Sequence, residues 1–208
     1  MNRTLSVVIA LAAWFAVIAQ FVLMLNNRTA GIGETVLRFF SYFTILSNTM
    51  VALYYTLRSV RGAVGGWGQA GMHTAVALYI AVVGGVYQVA LRQVWQPTGL
   101  QWVVDELLHT LIPLLVLLHW WAFATHDKAR WAWVPGFLVY PAVYLCWVLL
   151  RGELSGFYPY PFIHVADLGW PTTLRNALIL VMVFCGMAML FIGLQRWRAG
   201  PKGQDHGA

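Results

Sequence analysis

Two stretches hold the residues that could do chemistry. The first, Arg38-Phe-Phe-Ser41-Tyr-Phe-Thr44-Ile-Leu-Ser-Asn48, sets a cation, hydroxyls and an amide in an apolar run. The second, Asp105-Glu-Leu-Leu-His109, sets a carboxylate four residues before an imidazole. On a helix that spacing puts Asp105 and His109 on one face, where the carboxylate can fix the imidazole tautomer and stabilise the imidazolium. At about 100° per residue, Arg38, Ser41, Thr44 and Asn48 fall within roughly one third of a helix circumference. A hydroxyl from that stripe meeting His109 would complete a nucleophile–base–carboxylate device for acyl transfer. Asn48 or Arg38 could then stabilise an oxyanion. A plainer reading stands beside this one. Ser and Thr in membrane helices bond back to the preceding turn, Asp105 and Glu106 can face headgroups, and Asn48 can fix a helix contact.

Other polar residues point less clearly to chemistry. Glu106-x-x-His109 matches half of a helical di-iron motif, but a second copy is lacking. No metal or other cofactor is expected. His73 and His119 are read as interfacial, and His126 and His206 carry no functional reading. The loop Gly156-Phe-Tyr-Pro-Tyr160-Pro-Phe162-Ile-His164-Val-Ala-Asp167 is aromatic and proline-rich. It suits either an interfacial aromatic belt or a cap over the site, with Tyr160 and Phe162 touching substrate and His164 and Asp167 able to join the polar cluster. Cys146 and Cys185 are expected as buried free thiols.

Those residues need a scaffold, and the composition specifies its class. The chain has 208 residues, 60% hydrophobic and 10% charged, with a mean hydropathy of +0.68. That is far from the roughly 25% charged residues of a soluble domain. The net charge of +6 is scattered over the ends of apolar runs, which argues against a nucleic-acid partner. The first run is too long for a signal-peptide core, and the Asn26-Asn27-Arg28 after it is a poor small-residue cleavage site.

Six runs reach spanning length: 4–25, 36–57, 72–91, 102–125, 131–150 and 172–194. Pro135 and Pro141 predict kinks in the fifth run, and Gly84-Gly85 predicts a close helix contact in the third. The expected fold is all-α, a single bundle of six transmembrane helices over residues 1–195, with a polar cytoplasmic tail over 196–208. Arg3, Arg58, Arg61, Lys128, Arg130, Arg196, Arg198 and Lys202 would share one side, against Arg28, Arg38, Arg92, Arg151 and Arg175 on the other. This bias predicts cytoplasmic termini and a multi-pass protein of the cell membrane. Ser41 would then lie about 8 Å, and His109 about 10 Å, along helices that start on the same side.

Three segments carry a resemblance. Arg38-Phe-Phe-Ser41-Tyr-Phe looks like the basic-aromatic nucleophile segment of the androgen-induced and androgen-dependent integral membrane proteins. His109-Thr-Leu-Ile-Pro113 is similar to their His-Thr-Thr-Val-Leu-Pro segment, shortened by one residue before the proline. Tyr144-x-x-Trp147, Gly156 and Tyr160-Pro-Phe162 are similar to their fifth helix and following loop. The resemblance implies an intramembrane hydrolase of fatty acid esters of hydroxy fatty acids, with a Thr nucleophile and a His on different helices. Aligned without a gap, the family's Thr falls on Ser41, so Ser41 is the favoured nucleophile and Thr44, on the same face, the alternative. The implied partner is a lipid substrate within the bilayer. A function from another class also stands: lipid or small-molecule binding, transport or an accessory role, without catalysis.

Overall fold

The computed structural model describes residues 3–61, 69–124 and 129–199. Among these the chain is helical and contains no strand. Helix α1 (Arg3–Asn26) is followed by a short α2 (Ile32–Phe39) and by α3 (Phe43–Arg61). Helix α4 (Gln69–Val86) runs on into a π-turn at Tyr87–Leu91. Helix α5 (Gly99–Glu106), a second π-turn (Leu107–Leu111) and α6 (Ile112–Phe123) form one rod. Helix α7 (Val134–Ser155) and α8 (Val165–Ala199) complete the bundle. Five of these rods are long and apolar enough to cross a membrane, and six if α2 and α3 count as one bent span. Their outward faces are apolar: Leu11 is 64% and Ile18 56% exposed on α1. Exposed leucine and isoleucine in a continuous band belong against hydrocarbon, as in a multi-pass membrane protein.

The second run departs most from expectation. It is not one helix: α2 and α3 meet at 72° across Phe40, Ser41 and Tyr42. The break strands backbone groups, and tyrosines from α7 and from the α7–α8 connection meet them. Tyr144 on α7 donates to the Ser41 carbonyl at 2.8 Å, and the Thr44 N–H donates to the Tyr160 hydroxyl at 3.3 Å. Non-helical backbone persists at membrane depth only where protein re-satisfies it. Phe43 seals the corner, stacked on Tyr140 and packed edge-on against Tyr144 and Phe184.

Prolines shape the remaining irregularities. Pro113 cannot donate to the His109 carbonyl one turn back. The ladder ahead of it widens to a π-turn, in which the Ile112 N–H reaches Leu107 O. Pro141 frees the Phe137 carbonyl in the same way, and the Tyr79 hydroxyl takes it at 3.0 Å. Pro135 lies in the first turn of α7, where it distorts nothing. The expected close contact of α4 is at Gly84: a Cβ there would lie 3.1 Å from His109 O and 3.2 Å from Pro113 Cβ.

Other boundaries and burials also differ. Helix α8 starts at Val165, inside the expected loop, and kinks at Gly169, whose φ of 72° suits only glycine. It continues to Ala199, past the expected domain edge. Arg196 there donates to Ala129 O at 3.3 Å, and Arg198 to Trp121 O. Lys128, His126, Lys202, His206 and the tail from 200 onward lie outside the described residues. Cys146 is exposed and Cys185 half-exposed, so these thiols lie on outward faces rather than in the core. His73 and His119 are not interfacial: they are 2% and 0% exposed and bond to each other at 3.1 Å. Ser6 and Tyr55 extend this cluster, tying α1, α3, α4 and α6 together.

Candidate functional site

Three departures from regular α-helix converge on one point. The start of α3 presents Thr44, the α5–α6 π-turn presents His109, and the π-turn after α4 presents Tyr87. Single π-turns inside helices gather at functional sites because they re-aim side chains that a regular helix would point elsewhere.

Thr44 Oγ1 lies 3.3 Å from His109 Nε2. His109 Nδ1 faces two acceptors, the Asp105 backbone carbonyl at 3.0 Å and Asp105 Oδ1 at 3.3 Å. Only a proton on Nδ1 satisfies both, which leaves Nε2 as an acceptor for the threonine hydroxyl. Tyr87 stacks on the imidazole, with centroids 4.2 Å apart and planes 13° apart, and fixes the ring plane. On the other side of Thr44, the Tyr160 hydroxyl lies 3.4 Å from Oγ1. That hydroxyl accepts from the Thr44 N–H, so its own proton is free to point at Oγ1. Burial pushes the Tyr160 phenol above its ordinary pKa of 10.0, although its bonds to Thr44 oppose the shift, and it stays a donor.

The break supplies a further electrostatic element. Thr44 sits in the first turn of α3, where the positive end of the helix dipole favours developing negative charge. A straight helix through 36–57 would have no helix start at this point.

The residues singled out from the sequence divide cleanly. Thr44, His109, Asp105 and Tyr160 come together. Ser41 does not: its hydroxyl donates to Leu37 O at 2.6 Å, the ordinary back-bond of a membrane-helix serine. The expected Arg38–Ser41–Thr44–Asn48 stripe dissolves because the break re-aims everything before Phe43. Arg38 is held by Glu34 at 2.8 Å and lies over Phe157, which removes it from an oxyanion role at Thr44. Asn48 is fully buried and ties α3 to the π-turn, donating to Thr44 O at 2.9 Å and Leu108 O at 3.3 Å. It positions the site and does not face substrate. Phe162 stacks on Tyr160 with planes 6° apart and buttresses it without lining the cavity. Glu106 is engaged by Arg92 and Thr110, and His164 pairs with Asp167 at 3.1 Å, away from the site.

Tyr87 is the contributor that sequence reasoning missed, and Tyr144, quoted there only as part of the fifth-helix resemblance, gains its role at the break. Pro113 was the available signal for the π-turn, because it stands four residues after His109.

A cavity of about 770 Å³ opens onto this constellation, within the range of ligand-binding pockets. Thr44, Asp105, His109 and Tyr160 lie on its wall, with Leu23, Met24, Ile45 and Leu91 supplying apolar surface. Among the described residues no group of three or more His, Cys, Asp and Glu side chains could hold a metal ion. Compared with known proteins, the chain matches no family model, no curated protein and no solved structure.

Proposed function

We propose that the chain is an intramembrane hydrolase of lipid esters, with Thr44 as nucleophile, His109 as general base and acid, and Asp105 as its orienting carboxylate. One observation carries this reading: Thr44 Oγ1 and His109 Nε2 are 3.3 Å apart, with Nδ1 held on Asp105, on the wall of a largely apolar cavity. Thr44 Oγ1 attacks the ester carbonyl as its proton passes to His109 Nε2. The oxyanion takes the Tyr160 O–H and the positive end of α3. Collapse expels the alcohol, which receives the proton from His109. Water, deprotonated by the same nitrogen, then attacks the acyl-threonine. Expulsion of Thr44, reprotonated by His109, releases the acid. The cycle needs no cofactor.

That the hydroxyl paired with His109 belongs to a threonine supports the resemblance to the intramembrane threonine hydrolases. Fatty acid esters of hydroxy fatty acids are the substrates it proposes. Six spans, with α2 and α3 as one broken span, and both termini in the cytoplasm of a cell-membrane protein complete the reading. The arginine distribution supports this orientation, and counting α2 and α3 as one span makes the number of crossings even, so that both termini share a side.

A fluorophosphonate probe on purified protein in detergent tests it. Wild type and Ser41→Ala should be labelled, and Thr44→Ala and His109→Ala should not. Labelling that persists in Thr44→Ala would sink the mechanism. Lipid binding that is indifferent to Thr44 and His109, without turnover, would return the chain to a carrier or accessory role.

A further inference from the structure

The two π-turns behind the site are joined on the side away from the cavity. Gln88 and Arg92 stand four residues apart along the first (Tyr87–Leu91), and Glu106 and Thr110 stand four apart along the second (Leu107–Leu111). Arg92 Nη1 donates to Gln88 Oε1 at 2.9 Å, and Arg92 Nη2 donates to Glu106 Oε1. Gln88 Nε2 donates to Thr110 Oγ1 at 2.9 Å, and Thr110 Oγ1 donates to Glu106 Oε2 at 2.7 Å. The four bonds close a ring.

Elementary chemistry fixes the direction of every bond in it. A guanidinium only donates and a carboxylate only accepts. Arg92 therefore turns the Gln88 amide oxygen towards itself and the amide nitrogen towards Thr110. The Thr110 hydroxyl, accepting from Gln88, sends its own proton to Glu106. Threonines in membrane helices ordinarily bond to the backbone carbonyl one turn back; Thr110 bonds instead to the side chain there. Each member makes two of the four bonds, and linked bonds of this kind reinforce one another.

None of the four residues lies on the cavity wall, and the Arg92 side chain is 44% exposed. Their chain neighbours face the other way. Tyr87 precedes Gln88, His109 precedes Thr110, and these two rings stack with centroids 4.2 Å apart. Pro113 accounts for the second π-turn, but no proline follows the first as closely.

We infer that Gln88, Arg92, Glu106 and Thr110 are positioning residues, a clasp that registers the first π-turn against the second and so keeps the His109 imidazole on Tyr87 with Nε2 at Thr44. This rests on the hydrolase reading and extends it to residues outside the cavity. With the clasp open, the two turns slide, the stack loosens and Nε2 drifts from Thr44 Oγ1. Proton transfer depends on that separation more steeply than substrate binding does, so kcat suffers and KM does not.

The test reads geometry and rate separately, on full-length protein in detergent carrying isotope-labelled histidine. The His109 ring protons, assigned by their loss in His109→Ala, should resonate upfield under the Tyr87 ring current and move downfield in Tyr87→Leu. Thr110→Val removes the hydroxyl at nearly constant shape, and with it two of the four bonds. It should lose most of the upfield shift and lower kcat on a long-chain ester about ten- to hundredfold with KM little changed, the scale of a misplacement of about 1 Å. Thr110→Ser should restore both. Gln88→Met, on an exposed position, also breaks two bonds and should act in the same direction; it is decisive if Thr110→Val fails to fold. Signals that stay put in both variants overturn the clasp whatever the rates do, and so do signals that move in an active enzyme at unchanged kcat. If wild type hydrolyses no ester while the signals move as expected, the hydrolase reading fails and the clasp stands as the support of His109. Hydrolysis by wild type, with neither signals nor rates altered in the variants, does the reverse.

Discussion

Thr44 Oγ1 lies 3.3 Å from His109 Nε2, while Ser41, three residues earlier, gives its hydroxyl to Leu37 O. The two hydroxyls are close in sequence and belong to different environments. Thr44→Ala should abolish ester hydrolysis, Thr44→Ser should retain a measurable part of it, and Ser41→Ala should change kcat/KM less than about threefold, since it removes only a local back-bond. Steady-state kinetics on one long-chain ester compares all three. Loss of activity in Ser41→Ala with Thr44→Ala still active would reverse the assignment.

Asp105 acts on His109 through both its carboxylate and its backbone carbonyl. Asp105→Asn keeps the backbone contact but removes the charge that stabilises the imidazolium. A fall in kcat of about 10²–10⁴ is expected, with KM little changed. An unchanged kcat would show that the backbone carbonyl alone suffices.

Tyr160→Phe removes the hydroxyl 3.4 Å from the nucleophile and should lower kcat by about 10²–10³, as for other lost oxyanion donors. Burial raises the Tyr160 pKa above its ordinary 10.0, so the phenol keeps its proton through the neutral and mildly alkaline range. The ratio of wild-type to Tyr160→Phe rates should therefore stay constant from about pH 7 to about pH 9. A ratio that collapses between pH 8 and 9 would mean that the phenol ionises early and is not the donor described.

Gly84 lets α4 approach the His109 carbonyl and Pro113. A Cβ at 3.1 Å from that backbone oxygen has no flexible neighbour to displace. Gly84→Ala should destabilise by about 1–3 kcal/mol, and should lower kcat beyond that by shifting the π-turn. Thermal unfolding in detergent alongside kinetics separates the two effects. Gly152→Ala is a contrasting control: its Cβ would fall 2.0 Å from the Tyr158 ring, which costs stability at the rim while leaving the Thr44–His109 pair intact.

Much of this site was legible in the sequence, and the remainder has physical causes. The i, i+4 spacing of Asp105 and His109 survives even though a π-turn intervenes, because that turn begins at Leu107 and still brings the ring back over Asp105. The choice between Ser41 and Thr44 was not legible. Phe40-Ser41-Tyr42 contains no glycine or proline, so nothing local announces a 72° bend. The bend is stabilised by Tyr144 and Tyr160, more than a hundred positions away. His73 and His119 were misplaced for a similar reason. A histidine at a helix end looks interfacial until a partner on another helix gives it somewhere dry to bond.

The helix break has one more consequence, for the order in which the molecule becomes active. Tyr144 holds the Ser41 carbonyl from 103 positions further along the chain, and Tyr160 follows after it. A nascent chain inserted only as far as α6 already contains Thr44, Asp105 and His109, but not the groups that hold the corner open. Such a chain lacks both tyrosine contacts to the corner, and keeps only those from α1 and the α5–α6 turn, such as Phe21 on Phe39 and Asn48 on Leu108 O. The geometry that pairs Thr44 with His109 is thus completed by the last third of the protein.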